Sequence, residues 1–254
     1  MASGLLGGRT ALVSGACGAM GRATVRRFIA EGATVHGIDR DAQGGAALRD
    51  ELGDAPFSFA AVDLRVTASL RAAVAEASAR LQRIDVLCTM AGISLVRSIE
   101  ESDDAVLTPQ MEVNFQSVFE LCRAVVPAMK AAGRGAIVNV VSELATVGLA
   151  GYTAYCASKG ATLAFTRALA VELGPAGIRV NALCPGPTDT PMLRAEFASL
   201  ADPSAEHRAT VAGIPLGRLG SAEEIAAAAC FLASDQASFV HGATLLVDGG
   251  RTAS

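Results

Sequence analysis

The chain has 254 residues, 51% of them hydrophobic, and a formal net charge of -4, enough length and apolar content for one large α/β domain with a sizeable core. Its basic residues are spread along the chain, which argues against a nucleic-acid surface, and no apolar stretch reaches the roughly 18 residues of a membrane-spanning helix. No basic region precedes an apolar stretch at the N-terminus, so no secretory signal is expected and the expected location is the cytoplasm.

Seven apolar, often β-branched runs read as strands: 10–14, 33–38, 57–62, 84–88, 136–141, 179–183 and 244–247. Helical patterns fall between them near 20–31, 44–53, 67–82, 103–132 and 153–173, with a further one near 221–234. Gly174-Pro175 closes the 153–173 helix. Strands covered on both faces by intervening helices predict a single-domain, doubly wound, seven-stranded parallel sheet of the Rossmann type over 1–254. Residues 187–215 break the regularity with Pro187, Pro191, Pro203 and Pro215, and read as an irregular, mobile insertion over one end of the sheet. The six cysteines, at 17, 88, 122, 156, 184 and 230, contain no Cys-x-x-Cys pair and read as reduced, buried thiols, with no metal site.

After the first strand, Ser14-Gly15-Ala16-Cys17-Gly18-Ala19-Met20-Gly21 leads into a helix. Such a turn presents backbone N–H groups and a helix N-terminus to a phosphate, although a tight βα turn without a ligand satisfies the same pattern. Asp39 ends the second strand, 24 residues after Gly15, where its carboxylate can accept from a ribose diol and repel a 2′-phosphate. This favours NAD over NADP, while the neighbouring Arg40 is able to pair with a phosphate instead.

Tyr155 and Lys159 are four residues apart, in a chain with one other tyrosine, Tyr152, and one other lysine, Lys130. On a helix the two share a face, and a cation beside a phenol is expected to lower its pKa and suit it to acid/base work. The same spacing also arises on the polar side of ordinary helices.

Together these residues resemble the short-chain dehydrogenase/reductase family, from about Gly8 to Gly250. The family's loop reads Thr-Gly-x-x-x-Gly-x-Gly; Gly15 and Gly21 match, Ser14 and Ala19 replace the threonine and the middle glycine, and Gly18 lies one position early. The resemblance implies that Cys17, Gly18 and Met20 line the cofactor with Gly15 and Gly21, and that Asp63 and Leu64 flank the adenine. Ala91 and Gly92 then approach the nicotinamide ribose, in Thr89-Met90-Ala91-Gly92 where the family has Asn-Asn-Ala-Gly. It further implies that Pro185, Gly186, Thr188 and Thr190 meet the carboxamide. Four catalytic residues are implied: Asn114, Ser142, Tyr155 and Lys159. Tyr155 would exchange the proton, Lys159 would bind the nicotinamide ribose and tune Tyr155, Ser142 would donate to the substrate oxygen, and Asn114 would hold a water through its backbone. The family pattern also implies a homotetramer or homodimer built on the helices carrying Asn114 and Tyr155 and on the last strand.

By the same analogy the substrate is a small alcohol or ketone lying among Ser142, Leu144, Leu149, Tyr152 and Met192, under a lid at about 187–215. Glu143 and Arg194 are the charged candidates, and the apolar walls suit an alicyclic or other apolar secondary alcohol. Two other readings share these residues: an NADPH-dependent 3-oxoacyl reductase, and a non-catalytic nucleotide sensor or interaction protein.

Overall fold

Along β1 (Thr10–Ser14), Ala11 and Val13 join one buried cluster and Leu12 joins another, as a strand covered on both faces requires. The same alternation recurs in β4 (Val86–Thr89), with Val86 and Cys88 on one side and Leu87 on the other, and in β5 (Gly135–Val140), where Ile137 opposes Ala136, Val138 and Val140. The computed structural model describes residues 4–200 and 202–253.

Seven strands form one all-parallel sheet in the order β3-β2-β1-β4-β5-β6-β7, completed by β2 (Thr34–Asp39), β3 (Phe57–Ala61), β6 (Ile178–Pro185) and β7 (Thr244–Val247). Helices α1 (Ala19–Ala30) and α9 (Ala222–Ala233) cover one face through Val25, Phe28, Ile225 and Cys230. On the other face, α3 (Thr67–Leu81), α5 (Ser117–Ala132) and α6 (Thr153–Leu173) insert Leu70, Val74, Leu121, Val125 and Leu173. Helix α2 (Ala42–Leu52) lies beside β3, and α4 (Asp104–Met111) precedes α5. The strand order reverses between β1 and β4, and a ligand crevice is expected outside the carboxyl ends of the strands at that point.

Two details differ from the sequence expectations. Residues 187–215 contain two helices, α7 (Pro191–Ala198) and α8 (Pro203–Ala212), instead of irregular chain. Of the four prolines, Pro191 and Pro203 occupy first-turn positions, where a missing N–H costs nothing. Thr190 caps α7 by accepting from the Leu193 N–H at 3.3 Å, and Asp202 caps α8 by accepting from the Ala205 N–H at 2.9 Å. The expected 103–132 helix is divided by a wide π turn, Glu112–Gln116, which contains Asn114.

Candidate active site

At the strand reversal a cleft of about 350 Å³ opens between the β1–α1 turn and the ends of β2 and β4. Gly15 has φ +67°, and a Cβ there would lie 2.5 Å from the Ala91 nitrogen; at Gly21 it would lie 1.9 Å from the Gly15 carbonyl oxygen. Only glycine permits this close turn into α1. Asp39 is held at the rim by the Cys17 N–H, which donates to Oδ2 at 3.0 Å, and by the Asp41 N–H, which donates to Oδ1 at 3.1 Å. Of the residues expected to bind the cofactor, Gly15, Cys17, Gly18, Met20, Gly21, Asp39, Arg40, Asp63, Leu64, Ala91, Gly92 and Thr190 line this cleft. The glycine cradle and the rim carboxylate fit a dinucleotide, with its pyrophosphate over Gly15–Gly21 and a ribose at Asp39.

A second cleft of about 490 Å³ adjoins the first, and Met20, Thr190 and Met192 line both. Pro185, Gly186 and Thr188 line the second, as do Ser142, Leu144, Leu149, Tyr152 and Tyr155. Lys159 lines neither; its side chain is buried beneath Gly92, where a Cβ would lie 3.4 Å from Nζ.

Ser142 follows β5 and begins a short 3₁₀ turn, where its Oγ accepts from the Leu144 N–H at 3.1 Å. With an incoming donor already on that oxygen, its own proton is available to a partner in the cleft. Tyr155 and Lys159 do share a face of α6, with Nζ 5.9 Å from the phenol ring centroid. The first influence on the Tyr155 phenol in this structure is burial, ahead of any charge. Burial pushes it well above the ordinary tyrosine value, the Ser142 hydroxyl offsets part of the rise, and Glu196, Cys156 and Glu143 add to it. Burial also pulls Lys159 down, to about 8, and its ammonium donates to the Val140 carbonyl at 3.0 Å.

Asn114 is fully buried, and its side chain clamps the segment after β4. Its Oδ1 accepts from the Ile93 N–H at 2.9 Å, and Nδ2 donates to the Ile93 carbonyl and to Ser158 Oγ, each at 2.9 Å. Its backbone carbonyl, expected to hold a water, accepts from Thr162 Oγ1 at 2.7 Å. Asn114 thereby ties the Gly92 segment to α6, which carries Tyr155 and Lys159.

Position 89 is tied into the core through a neighbouring strand. Thr89 Oγ1 donates to Asn139 Oδ1 at 3.2 Å, and Asn139 Nδ2 donates to Thr166 Oγ1 at 3.0 Å, tying β4, β5 and α6 together inside the core. Arg194, a candidate for a substrate carboxylate, instead forms a two-pronged pair with Asp189 at 2.7 and 2.8 Å and lies outside the second cleft.

A family model described as "Enoyl-(Acyl carrier protein) reductase" matches residues 15–252. The chain belongs to the short-chain dehydrogenase/reductase family. Within that family it is 38% identical over 250 residues to D-threitol dehydrogenase of Mycolicibacterium smegmatis, covering 97% of this chain and 94% of the relative. Cyclopentanol dehydrogenase of a Comamonas species is 37% identical over 255 residues, covering 99% of this chain and 100% of that one. The 3-oxoacyl-acyl-carrier-protein reductase FabG of Chlamydia trachomatis is also 37% identical over 255 residues, with 98% and 99% covered. The crystal structure of levodione reductase superposes with a TM-score of 0.93 at 32% identity, covering 98% of this chain and 99% of that one. The chain is therefore an oxidoreductase of the nicotinamide-dependent type.

Sequence reasoning missed several lining residues. Arg65 and Val113 line the first cleft, and Phe197, Glu206 and Arg251 the second. Most carry no motif, and proximity in space alone marks them.

Proposed function

We propose that the protein is an NAD-dependent dehydrogenase of small secondary alcohols, acting reversibly on the matching ketones. One observation carries this reading: Ser142 and Tyr155 line a largely apolar cleft that merges, at Met20, Thr190 and Met192, with the cleft bearing Asp39. The nicotinamide cofactor supplies or accepts the hydride. Tyr155 passes the proton to or from the substrate oxygen: its phenol, protonated at neutrality, is the acid for ketone reduction, and its phenolate, favoured by the Lys159 cation, is the base for alcohol oxidation. Ser142 donates to the same oxygen and stabilises the charge developing there. Buried Lys159 and Asn114, with Gly92 above them at the cleft surface, form a platform under the expected position of the nicotinamide ribose. Asp39 supports NAD, because its anchored carboxylate suits a ribose diol and opposes a 2′-phosphate.

Val96, Leu144, Leu149, Met192, Phe197 and Leu200 supply apolar walls that suit an alicyclic alcohol, and a relative at 37% identity is a cyclopentanol dehydrogenase. A cytoplasmic location and a homotetramer or homodimer complete the reading, the assembly supported by half-exposed Phe119 beside Phe115 and Phe165 on the helices flanking the site. The 3-oxoacyl reductase reading is favoured by FabG's similar identity and opposed by Asp39. The test is a screen of secondary alcohols with NAD and NADP, followed by Tyr155→Phe on the best substrate. Turnover should fall at least about 1000-fold with unchanged NADH binding. A Tyr155→Phe enzyme that keeps most of its activity refutes the assignment, and NADH binding without turnover of any alcohol or ketone favours a sensor.

A further inference from the structure

The turn after β7 brings a guanidinium to the wall of the cleft that holds Ser142 and Tyr155. Gly249 and Gly250 both take left-handed backbone there, with φ +64° and +88°. Asp248 closes the turn: its Oδ1 accepts from the Gly250 N–H at 2.9 Å, and its Oδ2 accepts from the Thr252 N–H at 2.9 Å and the Thr252 hydroxyl at 2.6 Å. The Gly186 N–H donates to the Val247 carbonyl at 3.0 Å and the Leu216 N–H to the Gly249 carbonyl at 3.1 Å. The turn is thereby tied to the loop after β6 and to the segment after α8, and Arg251 is fixed between Asp248 and Thr252.

The Arg251 side chain keeps 23% of its surface exposed. It approaches Glu143 with one nitrogen only, Nη1 at 3.3 Å from Oε1, and leaves Oε2 without a partner. An arginine that serves a carboxylate alone grips it with two parallel bonds, as Arg194 grips Asp189 at 2.7 and 2.8 Å. Among the described residues no Arg251 side-chain nitrogen makes a hydrogen bond and none is buried without a partner, so the guanidinium remains accessible to a small molecule in the cleft.

A guanidinium only donates, so what it binds must accept. Glu143 offsets its charge, and Glu196 and Glu206 line the same cleft, which disfavours an anion and favours a neutral acceptor. A carbonyl oxygen meets this requirement with two lone pairs and no proton of its own to satisfy, whereas a hydroxyl brings a proton that needs a further acceptor.

We propose that Arg251 is a specificity residue that donates to a second carbonyl oxygen of the substrate, the one that does not react. The substrate class is then a neutral diketone, or in the oxidative direction the matching hydroxyketone, with its carbon skeleton against the apolar wall. This inference rests on the dehydrogenase reading above.

The test compares two non-acidic diketones with the monoketones of the same skeletons: 1,4-cyclohexanedione with cyclohexanone, and 2,2-dimethyl-1,3-cyclopentanedione with 2,2-dimethylcyclopentanone. Each is titrated into the full-length protein with NAD, which has no hydride to give, and binding is followed by ligand-observed NMR. Wild type should bind at least one diketone about tenfold or more tightly than its monoketone, as expected for a hydrogen bond to a charged group. In Arg251→Met that ratio should fall to about the twofold that two equivalent carbonyls give by statistics. Glu143→Gln, which leaves Arg251 in place, should keep the ratio or raise it. The double variant Glu143→Gln/Arg251→Met provides the same comparison if Arg251→Met, with its carboxylate left unpaired, fails to fold. A wild type that prefers neither diketone beyond about twofold, a ratio unchanged in a folded variant lacking Arg251, or a ratio abolished by Glu143→Gln overturns the proposal. The kcat/KM values with NADH are measured on the same four ketones. Absence of all turnover would remove the dehydrogenase reading, whereas the binding ratio still decides the role of Arg251.

Discussion

Replacing Asp39 by asparagine changes one charge at the rim of the dinucleotide cleft while keeping a side-chain oxygen for the Cys17 N–H that now donates to it at 3.0 Å. A 2′-phosphate in place of the ribose hydroxyl would lie about 5 Å from the carboxylate, and at an effective dielectric of about 40 each unit of charge then costs about 1.7 kcal/mol. A phosphate monoester carries about 1.5 to 2 charges at neutrality, so the repulsion is about 3 kcal/mol, or roughly 100-fold in affinity. Asp63 is held below its ordinary range chiefly by its pairing with Arg65; the exposed Arg40 at the same rim adds to that pull and is positioned to favour a phosphate once Asp39 is neutral. Fluorescence titration with NADH and NADPH should show NADH preferred by wild type. In Asp39→Asn the ratio should move toward NADPH by up to about 100-fold at low salt, and by less at physiological ionic strength. A wild type that binds both equally, or a ratio that moves less than about threefold, would refute the electrostatic argument.

Lys159 is buried, with its pKa lowered from 10.5 to about 8, so the folded state disfavours its charge. Its contribution is fully present above pH 10.5 and is lost as pH falls through 8, a swing of about 3 kcal/mol. Buried cysteines act in the opposite sense: Cys184 and Cys230 are raised to about 11, which erodes stability at alkaline pH. The quantity to measure is therefore the difference between Lys159→Met and wild type in urea denaturation. Any relative stability of the variant at pH 7 should shrink by about 3 kcal/mol by pH 10.5, and a pH-independent difference would contradict the burial argument. In Asn139→Ala, Thr89 and Thr166 lose their shared buried partner, and urea denaturation should show a loss of about 2 to 3 kcal/mol. A loss under about 0.5 kcal/mol would mean that the tie is not structural.

Much of the fold was legible because strand alternation and glycine placement are local properties. Val13 beside Leu12, and Gly15 before Gly21, carry their structural meaning within a few residues. The insertion was misread because Pro191 and Pro203 break a helix in its interior but begin one at its first turn, and only Thr190 and Asp202 just before them distinguish the two cases. The acidity of Tyr155 was less legible for a different reason. Its helix spacing to Lys159 is visible in the sequence, but the burial that dominates its acidity comes from elements far away along the chain. Glu143 was noted as a charged candidate, yet its pairing with Arg251 spans more than a hundred positions and leaves no local signal.

The polar tie in the sheet also bears on how the helix layer is held. Thr89 and Asn139 are register partners on neighbouring strands, and Asn139 carries the bridge on to Thr166 of α6. A change at any one of the three therefore loosens two strands and the helix that carries Tyr155 and Lys159 together, so a substitution deep in the core would be felt at the active site as a shift in the placement of those two side chains.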